Sequence, residues 1–334
     1  MRSDTRSRLR VEDLRSDNDG MARCLKLAAL AAASDVPVLV LGETGTGKTL
    51  LAQAIHNSSA RARGPFVPFN ASVVTDTLLE SQLFGHERGA FTGAHRTVKG
   101  KFELADRGTL FLDEIADMSP LAQAKILRAV EYGEFERLGG EQILRSSARM
   151  ISATNCSLRD RIRLGRFRED LYQRLKGLTL LIPPLRDRVE ELGALIALEL
   201  KAAAAEAGKR IRSIHPEAMD RLLSHDWPGN LRELCHAMRT VVLLSEGEVV
   251  LPEHIVLESD IQAQGSPSGT HPEPASVSVI PNGASSPDLT LAGAVSRHVR
   301  AVYEKAQGNQ RRAARLLGIS RATLARHLRK AGLR

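Results

Sequence analysis

Residues 42–49 read GETGTGKT and match the spacing G-x-x-x-x-G-K-[ST]. Gly42, Gly45 and Gly47 free the backbone so that the loop, with Glu43, Thr44 and Thr46, can wrap phosphate oxygens with its N–H groups. Lys48 can then reach the β- and γ-phosphate oxygens, and the Thr49 hydroxyl can ligate Mg²⁺. A chance match to this spacing is expected in on the order of one in a hundred chains of this length. The flanks make chance rarer still, because an apolar run precedes the loop and a helical pattern follows it. Phosphoryl transfer also needs an acid to hold the metal and a group to polarise the attacking water. The run TLFLDE (109–114) ends in both, Asp113 for the metal and Glu114 for the water. Thr154 and Asn155 close another apolar run, where a polar side chain can sense a γ-phosphate; taken singly they would also suit a plain strand-end turn. The chemistry expected of this set is Mg²⁺-assisted hydrolysis of a nucleoside triphosphate.

These residues must be brought together by regular elements. The runs VPVLVLG (36–42), FVPFN (66–70), TLFLDE (109–114), RMISATN (149–155) and LTLLIPP (178–184) read as strands buried on both faces. Between them, KTLLAQAIHNSS and SPLAQAKILRAVEYG have helical spacing, the second opening with Ser119 as N-cap and Pro120 at its first position. Strands alternating with helices predict an α/β fold with a parallel sheet covered on both sides. Beyond residue 186 no strand is expected, and VEELGALIALELKAAAAEAGK opens an all-helical segment running to about 258.

The 334 residues allow about two domains. A hydrophobic content of 43% with 26% charged residues is that of an ordinary globular chain, whose core must be aliphatic because only 4% is aromatic. Cys24, Cys156 and Cys235 lie far apart and form no C-x-x-C pair, which argues against a disulfide framework or a zinc site. The N-terminal MRSDTRSRLRVEDLRSD has no apolar core of a signal peptide, and no apolar run reaches the roughly 18 residues of a membrane span. A cytoplasmic protein with no membrane partner is expected. Residues 259–288 contain five prolines and no Lys or Arg, the composition of a flexible linker. Residues 289–334 hold eleven Lys or Arg against one acid, a net +10 in a chain whose total is +8. The basicity belongs to the tail, which points to a polyanion partner there.

One stretch remains, GHERGAFTGAHR (85–96), with a lone phenylalanine among small residues and no apolar periodicity. By itself it reads as a mobile loop. With the phosphate machinery in place, however, the chain resembles the bacterial enhancer-binding family of AAA+ ATPases, the activators of sigma-54 RNA polymerase. The resemblance runs from about residue 14 to the end, apart from the linker. It rests on GAFTGA (89–94), FREDLYQRL (167–175), PPLRDR (183–188) and WPGNLREL (227–234). It implies that Gly89, Ala90, Phe91, Thr92, Gly93 and Ala94 form a surface loop engaging sigma-54, with Phe91 and Thr92 at its tip. Arg137, in GEFERLGG, resembles the family's second surface loop. Arg168 and Arg174 resemble arginine fingers that reach the γ-phosphate of a neighbouring subunit, which implies a ring, hexameric in the family. Arg232 resembles the sensor arginine of the helical lid, and Asn70 the residue that restrains Glu114. Two positions depart from the family. Thr49 stands where an acid is frequent, and Arg107 where glycine is usual just before the TLFLDE strand.

The tail sequence QRRAARLLGISRATLARHLRKAGL (310–333) reads as two short helices meeting at Gly318–Ile319, with Ala314, Gly318 and Leu324 at helix-turn-helix spacing. Ser320 caps the second helix, whose Arg321, Ala322, Thr323, Arg326 and Arg329 are expected towards DNA, with Arg311 and Arg312 on phosphates. A stripe from Leu291 to Ala306 is expected to close a dimer, as in the Fis-type modules this tail resembles. The expected layout is a tail (1–13), an AAA+ α/β nucleotide-binding subdomain (14–186), a helical lid (187–258), a linker (259–288) and an all-α Fis-type helix-turn-helix domain (289–334). With so short an N-terminal tail no receiver or sensor domain is expected, a layout that would resemble that of phage-shock and type III secretion (hypersensitivity-response) activators. Control is then expected from expression level, a paralogous co-activator mixed into the ring, or a trans-acting inhibitor protein. The function expected is ATP-driven remodelling of sigma-54 RNA polymerase from upstream enhancer DNA. The alternatives are a DNA-binding regulator that acts without ATP-driven remodelling, and an unfoldase or helicase, which has no use for a helix-turn-helix.

Overall fold

Alternation within the apolar runs explains how the central sheet is built. In the computed structural model, which describes residues 9–73 and 76–257 together with Tyr303, Ala313 and Leu324, all five expected strands form and pair in parallel. In chain order the first strands are β1 (Val38–Leu41), β2 (Phe66–Asn70), β3 (Gly85–His86), β4 (Val98–Lys99) and β5 (Thr109–Asp113). They are followed by β6 (Glu134–Glu136), β7 (Ile143–Arg145), β8 (Arg149–Thr154) and β9 (Leu178–Leu181). The main sheet has the order β2-β5-β8-β1-β9. Val38 and Val40 face one core with Phe111, Ile151 and Ala153, while Leu39 faces the other with Leu110, Leu112 and Met150. Both faces are therefore covered, and β8 is buried at all six positions. Pro68 sits in β2, an edge strand, where its missing N–H interrupts no second ladder.

The helices of this part are α1 (Asp19–Ala32), α2 (Lys48–Asn57), α3 (Asp76–Phe84), α4 (Lys101–Leu104), α5 (Pro120–Tyr132), α6 (Leu158–Arg163) and α7 (Glu169–Leu175). Asn18, Ser119 and Ser157 accept from backbone amides in the first turns of α1, α5 and α6. Helix α2 differs. It begins at Gly47, whose φ is 99°, with no side-chain cap, so its first amides stay open toward the loop that leaves β1. Parallel register sets the ends of the strands together: Leu41 pairs with Thr154, Leu112 with Ser152, and Asn70 with Asp113. The phosphate loop, the acids and Asn155 consequently share the C-terminal edge of the sheet, where ligands bind in open parallel sheets.

The lid comprises α8 (Val189–Ala207), α9 (Pro216–Ser224) and α10 (Asn230–Leu244) around a core that includes Leu192, Ile196, Trp227, Leu234 and Met238. It is not wholly helical, contrary to the sequence expectation. Strand β10 (Ser213–Ile214) pairs in parallel with β11 (Val249–Val250), each too short to leave an alternating pattern. The hairpins β3–β4 and β6–β7 escaped the sequence reading for the same reason. Two compact units are present, Met1–Pro267 and Ser268–Arg334. In the second, Ala313 and Leu324 are helical and fully buried, Leu324 as the helix-turn-helix spacing requires. The expected DNA contacts and dimer stripe lie outside the described residues, as do Ala314 and the linker. No helix among the described residues is long and apolar enough to cross a membrane.

Arg107, the departure from glycine, has φ of 59°, and its side chain is 90% exposed. Left-handed backbone costs a residue with Cβ about 1–2 kcal/mol, part of which glycine's greater unfolded freedom offsets. Arg107→Gly is therefore expected to raise stability by about 0.5–1 kcal/mol, read as a higher urea midpoint at unchanged slope. A lower midpoint would show that the exposed guanidinium contributes more than the backbone costs.

Candidate functional site

The loop between β1 and α2 closes on itself around a buried cation. Lys48 is only 6% exposed; its Nζ donates to the Gly42 carbonyl at 2.9 Å and the Glu43 carbonyl at 3.3 Å. It also lies 3.4 Å from Glu114 Oε1. A buried ammonium persists only with such partners. The Thr46 hydroxyl donates to the Glu43 carbonyl at 2.8 Å and tightens the turn, while Thr49 stands exposed in the first turn of α2. Gly45 and Gly47 have φ of 83° and 99°, which only glycine adopts without strain. This cradle of glycine backbone, an uncapped helix start and a buried ammonium is the chemical complement of a polyphosphate.

Glu114 follows Asp113 with φ of 51°. That turn lets its amide donate to Asp113 Oδ1 at 3.1 Å and swings its carboxylate to Lys48 and to the Asn155 amide at 3.2 Å. Asn155 in turn donates from its side chain to the Thr44 hydroxyl at 2.9 Å, tying the end of β8 to the phosphate loop. Thr154 is fully buried and accepts from the Cys156 amide at 3.2 Å. The expected restraint of Glu114 by Asn70 is not made in this conformation. Asn70 lies beside Asp113 in register, but its side-chain oxygen accepts from the Ser72 amide at 2.9 Å and hydroxyl at 2.7 Å, closing the turn after β2.

On the lid side, an added Cβ at Gly45 would overlap the Gly229 carbonyl oxygen and come within 3.1 Å of Arg232 Cβ, so the lid turn and Arg232 sit directly on the loop. The Arg186 guanidinium pairs both nitrogens with the Glu43 carboxylate, at 2.6 and 2.9 Å. That contact, with a bond from Asn230, holds Glu43 down to about 2, so the pair persists through mild acid and is lost as pH falls toward that value.

Arg168 and Arg174 are exposed at the two ends of α7, paired with Asp170 and Glu131 respectively. Their own phosphate loop supplies neither partner. The backbone of the Arg168 segment is held by a residue that the sequence reading passed over. Gln123, fully buried on α5, accepts from the Arg168 amide at 2.8 Å and donates to the carbonyls of Met118 at 2.8 Å and Arg166 at 3.0 Å. Its one sequence signal is a polar residue inside the buried stripe of Ala122, Ile126 and Ala129.

GAFTGA spans the tip between β3 and β4. Gly89 and Gly93 have φ of 85° and 102°, and Thr92 is exposed. Phe91 packs edge-on against His86, with ring centres 5.0 Å apart, and His86 is bonded to Ser81 at 2.8 Å. Arg137, in the turn between β6 and β7, points inward rather than to solvent. It donates twice to Glu103, at 2.7 and 2.9 Å, and once to Glu87 at 2.7 Å, at the base of the GAFTGA loop. Thr97 and Arg137 hold the Glu87 carboxyl below its usual range. Burial raises Glu103, but Arg137 and the Gly100 amide outweigh it and the net direction is down. Backbone bonds complete the junction, Glu87 N to Leu138 O and Leu138 N to Gly85 O, both 3.0 Å.

A five-stranded parallel sheet with a phosphate loop, adjacent acids and a helical lid defines an AAA+ ATPase module. The sigma-54 interaction domain matches residues 14–181, the AAA+ ATPase lid domain residues 186–273, and the bacterial regulatory protein Fis family residues 297–330. The chain belongs to the sigma-54 interaction family. It is 42% identical over 308 residues to the transcriptional regulatory protein ZraR of Klebsiella oxytoca, covering 92% of this chain and 66% of ZraR. It is 40% identical over 318 residues to the regulatory protein AtoC of Escherichia coli K12, covering 95% of this chain and 67% of AtoC. With the Nif-specific regulatory protein of Klebsiella pneumoniae it shares 46% identity over 240 residues, 72% of this chain and 46% of that protein. The chain thus spans 46% to 67% of the length of these relatives. Among solved structures, NtrX from Brucella abortus in complex with ATP superposes with a TM-score of 0.70 at 32% identity, covering 99% of this chain and 72% of NtrX.

If Glu114 polarises the attacking water, Glu114→Gln keeps the cradle and loses the base. ATP affinity is expected to stay within a few-fold, while turnover falls by about 10²-fold or more. Binding and hydrolysis measured on one preparation separate the two; normal turnover removes Glu114 from this role.

Proposed function

We propose that this protein activates transcription by sigma-54 RNA polymerase, using ATP hydrolysis in a ring of its own copies while its tail holds upstream DNA. The observation that carries the proposal is the seating of GAFTGA. A loop with an exposed threonine tip is clamped through Glu87, Arg137 and Glu103 to the body that carries the phosphate loop. A body that changes shape with its nucleotide can move such a tip; an untethered loop would only fluctuate.

The residues at the sheet edge fit Mg·ATP. The loop from Gly42 to Gly47 would bind the phosphates through backbone amides, Lys48 would neutralise the β- and γ-phosphates, and Thr49 with Asp113 would hold the metal, which neutralises charge between the phosphates. Glu114 orients the water and takes its proton, Asn155 reports the γ-phosphate position to Thr44, and Arg232 contributes positive charge from the lid. NtrX crystals with ATP and with ADP support the nucleotide assignment. Arg168 and Arg174, exposed and paired away from their own loop, suit fingers inserted into a neighbouring subunit's site. The match of residues 297–330 to the Fis family, together with the +10 tail, supports DNA as the second partner.

Phe91→Ala and Thr92→Ala separate motor from grip. Both variants are expected to keep ATP affinity, ring formation and hydrolysis within a few-fold of the parent and to lose open-complex formation at a sigma-54 promoter. Hydrolysis and transcript yield are measured on the same preparation, with capture of sigma-54 in the presence of a transition-state analogue. Transcription surviving in both variants contradicts the contact role, and hydrolysis lost in parallel shows the residues to be structural.

A further inference from the structure

Asn230 is fully buried at the start of α10, with φ of 53°, a conformation that short polar residues tolerate. Its side-chain oxygen accepts from the Leu185 amide at 2.7 Å, in the segment leading from β9 into the lid. Its side-chain N–H groups face the Thr44 carbonyl at 3.1 Å, Glu43 Oε2 at 3.2 Å and the Pro228 carbonyl at 3.3 Å. Arg186, next to Leu185, grips the same Glu43 carboxylate. Three separate segments therefore meet on one amide: the phosphate loop, the connection into the lid, and the turn before α10.

This is not the geometry of a helix cap. A capping side chain accepts from amides of its own helix, and α10 has no side-chain cap. Asn230 spends its oxygen on Leu185 and aims its N–H groups mainly at the phosphate loop. Behind it the fit has no slack, since a Cβ on Gly45 would overlap the Gly229 carbonyl. Arg232 lies on the first turn of the same helix, so whatever docks Asn230 also sets where Arg232 meets the loop.

We infer that Asn230 is a positioning residue for nucleotide binding, whose carboxamide docks the lid onto Glu43 and Thr44 and so delivers Arg232 to the phosphates. The inference rests on the proposal that this loop is the ATP site. Coupling of this kind is reciprocal: lid docking strengthens ATP binding by the factor by which ATP strengthens lid docking. Both side-chain functions are needed. Aspartate has the same shape, tolerates the same φ and still accepts from Leu185, but it offers no N–H to Thr44 and sets a second carboxylate against Glu43.

The test uses the full chain and Asn230→Asp, reading Mg·ATP affinity by equilibrium titration, KM and kcat for hydrolysis, and the thermal midpoint. Affinity is expected to fall about tenfold or more, with KM rising in step and the thermal midpoint close to the parent's. Adding Glu43→Gln to Asn230→Asp supplies a donor from the other side and is expected to recover affinity by about threefold or more. A merely structural asparagine would not be rescued from the phosphate loop. Parent-like affinity in Asn230→Asp overturns the inference, and so does loss without recovery in a double variant that melts like the parent. Should Asn230→Asp fail to fold, Asn230→Gly accepts the positive φ without a side chain: reduced affinity supports the inference and parent-like affinity overturns it. The readout is nucleotide affinity, so a parent that binds ATP without activating sigma-54 transcription counts against the proposed function alone.

Discussion

A positive charge kept out of water organises this molecule. Lys48 reaches its position because Gly45 and Gly47 take positive φ angles that strain a residue with a Cβ, and because two loop carbonyls and Glu114 receive its ammonium. Each partner recruits another element. Glu114 draws in the Asn155 amide, Asn155 holds Thr44, and Thr44 and Glu43 receive Asn230 and Arg186 from the lid. The end of β5, the end of β8 and the lid are thus assembled on one cradle, and the cost of burying charge is met by bonds that also align the site.

Two routes lead outward from the same edge. One runs through the turn after Glu114 to Met118, whose carbonyl receives Gln123, and from Gln123 to the backbone of Arg168. The other runs back along β5 to α4, where Glu103 holds Arg137 and Arg137 holds Glu87 beneath GAFTGA. Both rely on partly or fully buried polar side chains with several bonds each, which have discrete rather than graded arrangements. Such networks join the C-terminal edge of the sheet to an exposed arginine and to an exposed loop.

The legible part of this structure is the part with a period or a spacing. The strands announce themselves as apolar runs, the central ones buried on both faces and the edge strands β2 and β9 only in part, and the glycine spacing of residues 42–49 marks the loop between β1 and α2. Ser119 and Pro120 mark the start of α5 as read. The two-residue pairs β3–β4 and β10–β11 carry no alternation by which a sequence could announce them. Polar clamps are harder still. Asn70, Gln123 and Asn230 are all side-chain amides, yet one closes a local turn, one holds the backbone of Arg168 and one reaches from the lid to the loop after β1. What separates them is where distant backbone falls, which composition does not encode. Arg137 shows the same limit from the other side: motif position suggested a surface contact, whereas two carboxylates from remote elements turn it inward.

The central claim is that the nucleotide site and the GAFTGA loop are mechanically one body. Amide hydrogen exchange of residues 85–99 and 134–145 tests it most directly, compared in the full chain with ADP and with a γ-phosphate analogue bound. The account predicts that protection in both segments changes together with the nucleotide, and that Arg137→Ala uncouples them, leaving 85–99 indifferent while the phosphate loop still responds. Protection in 85–99 that is the same with either nucleotide in the unaltered protein would contradict it.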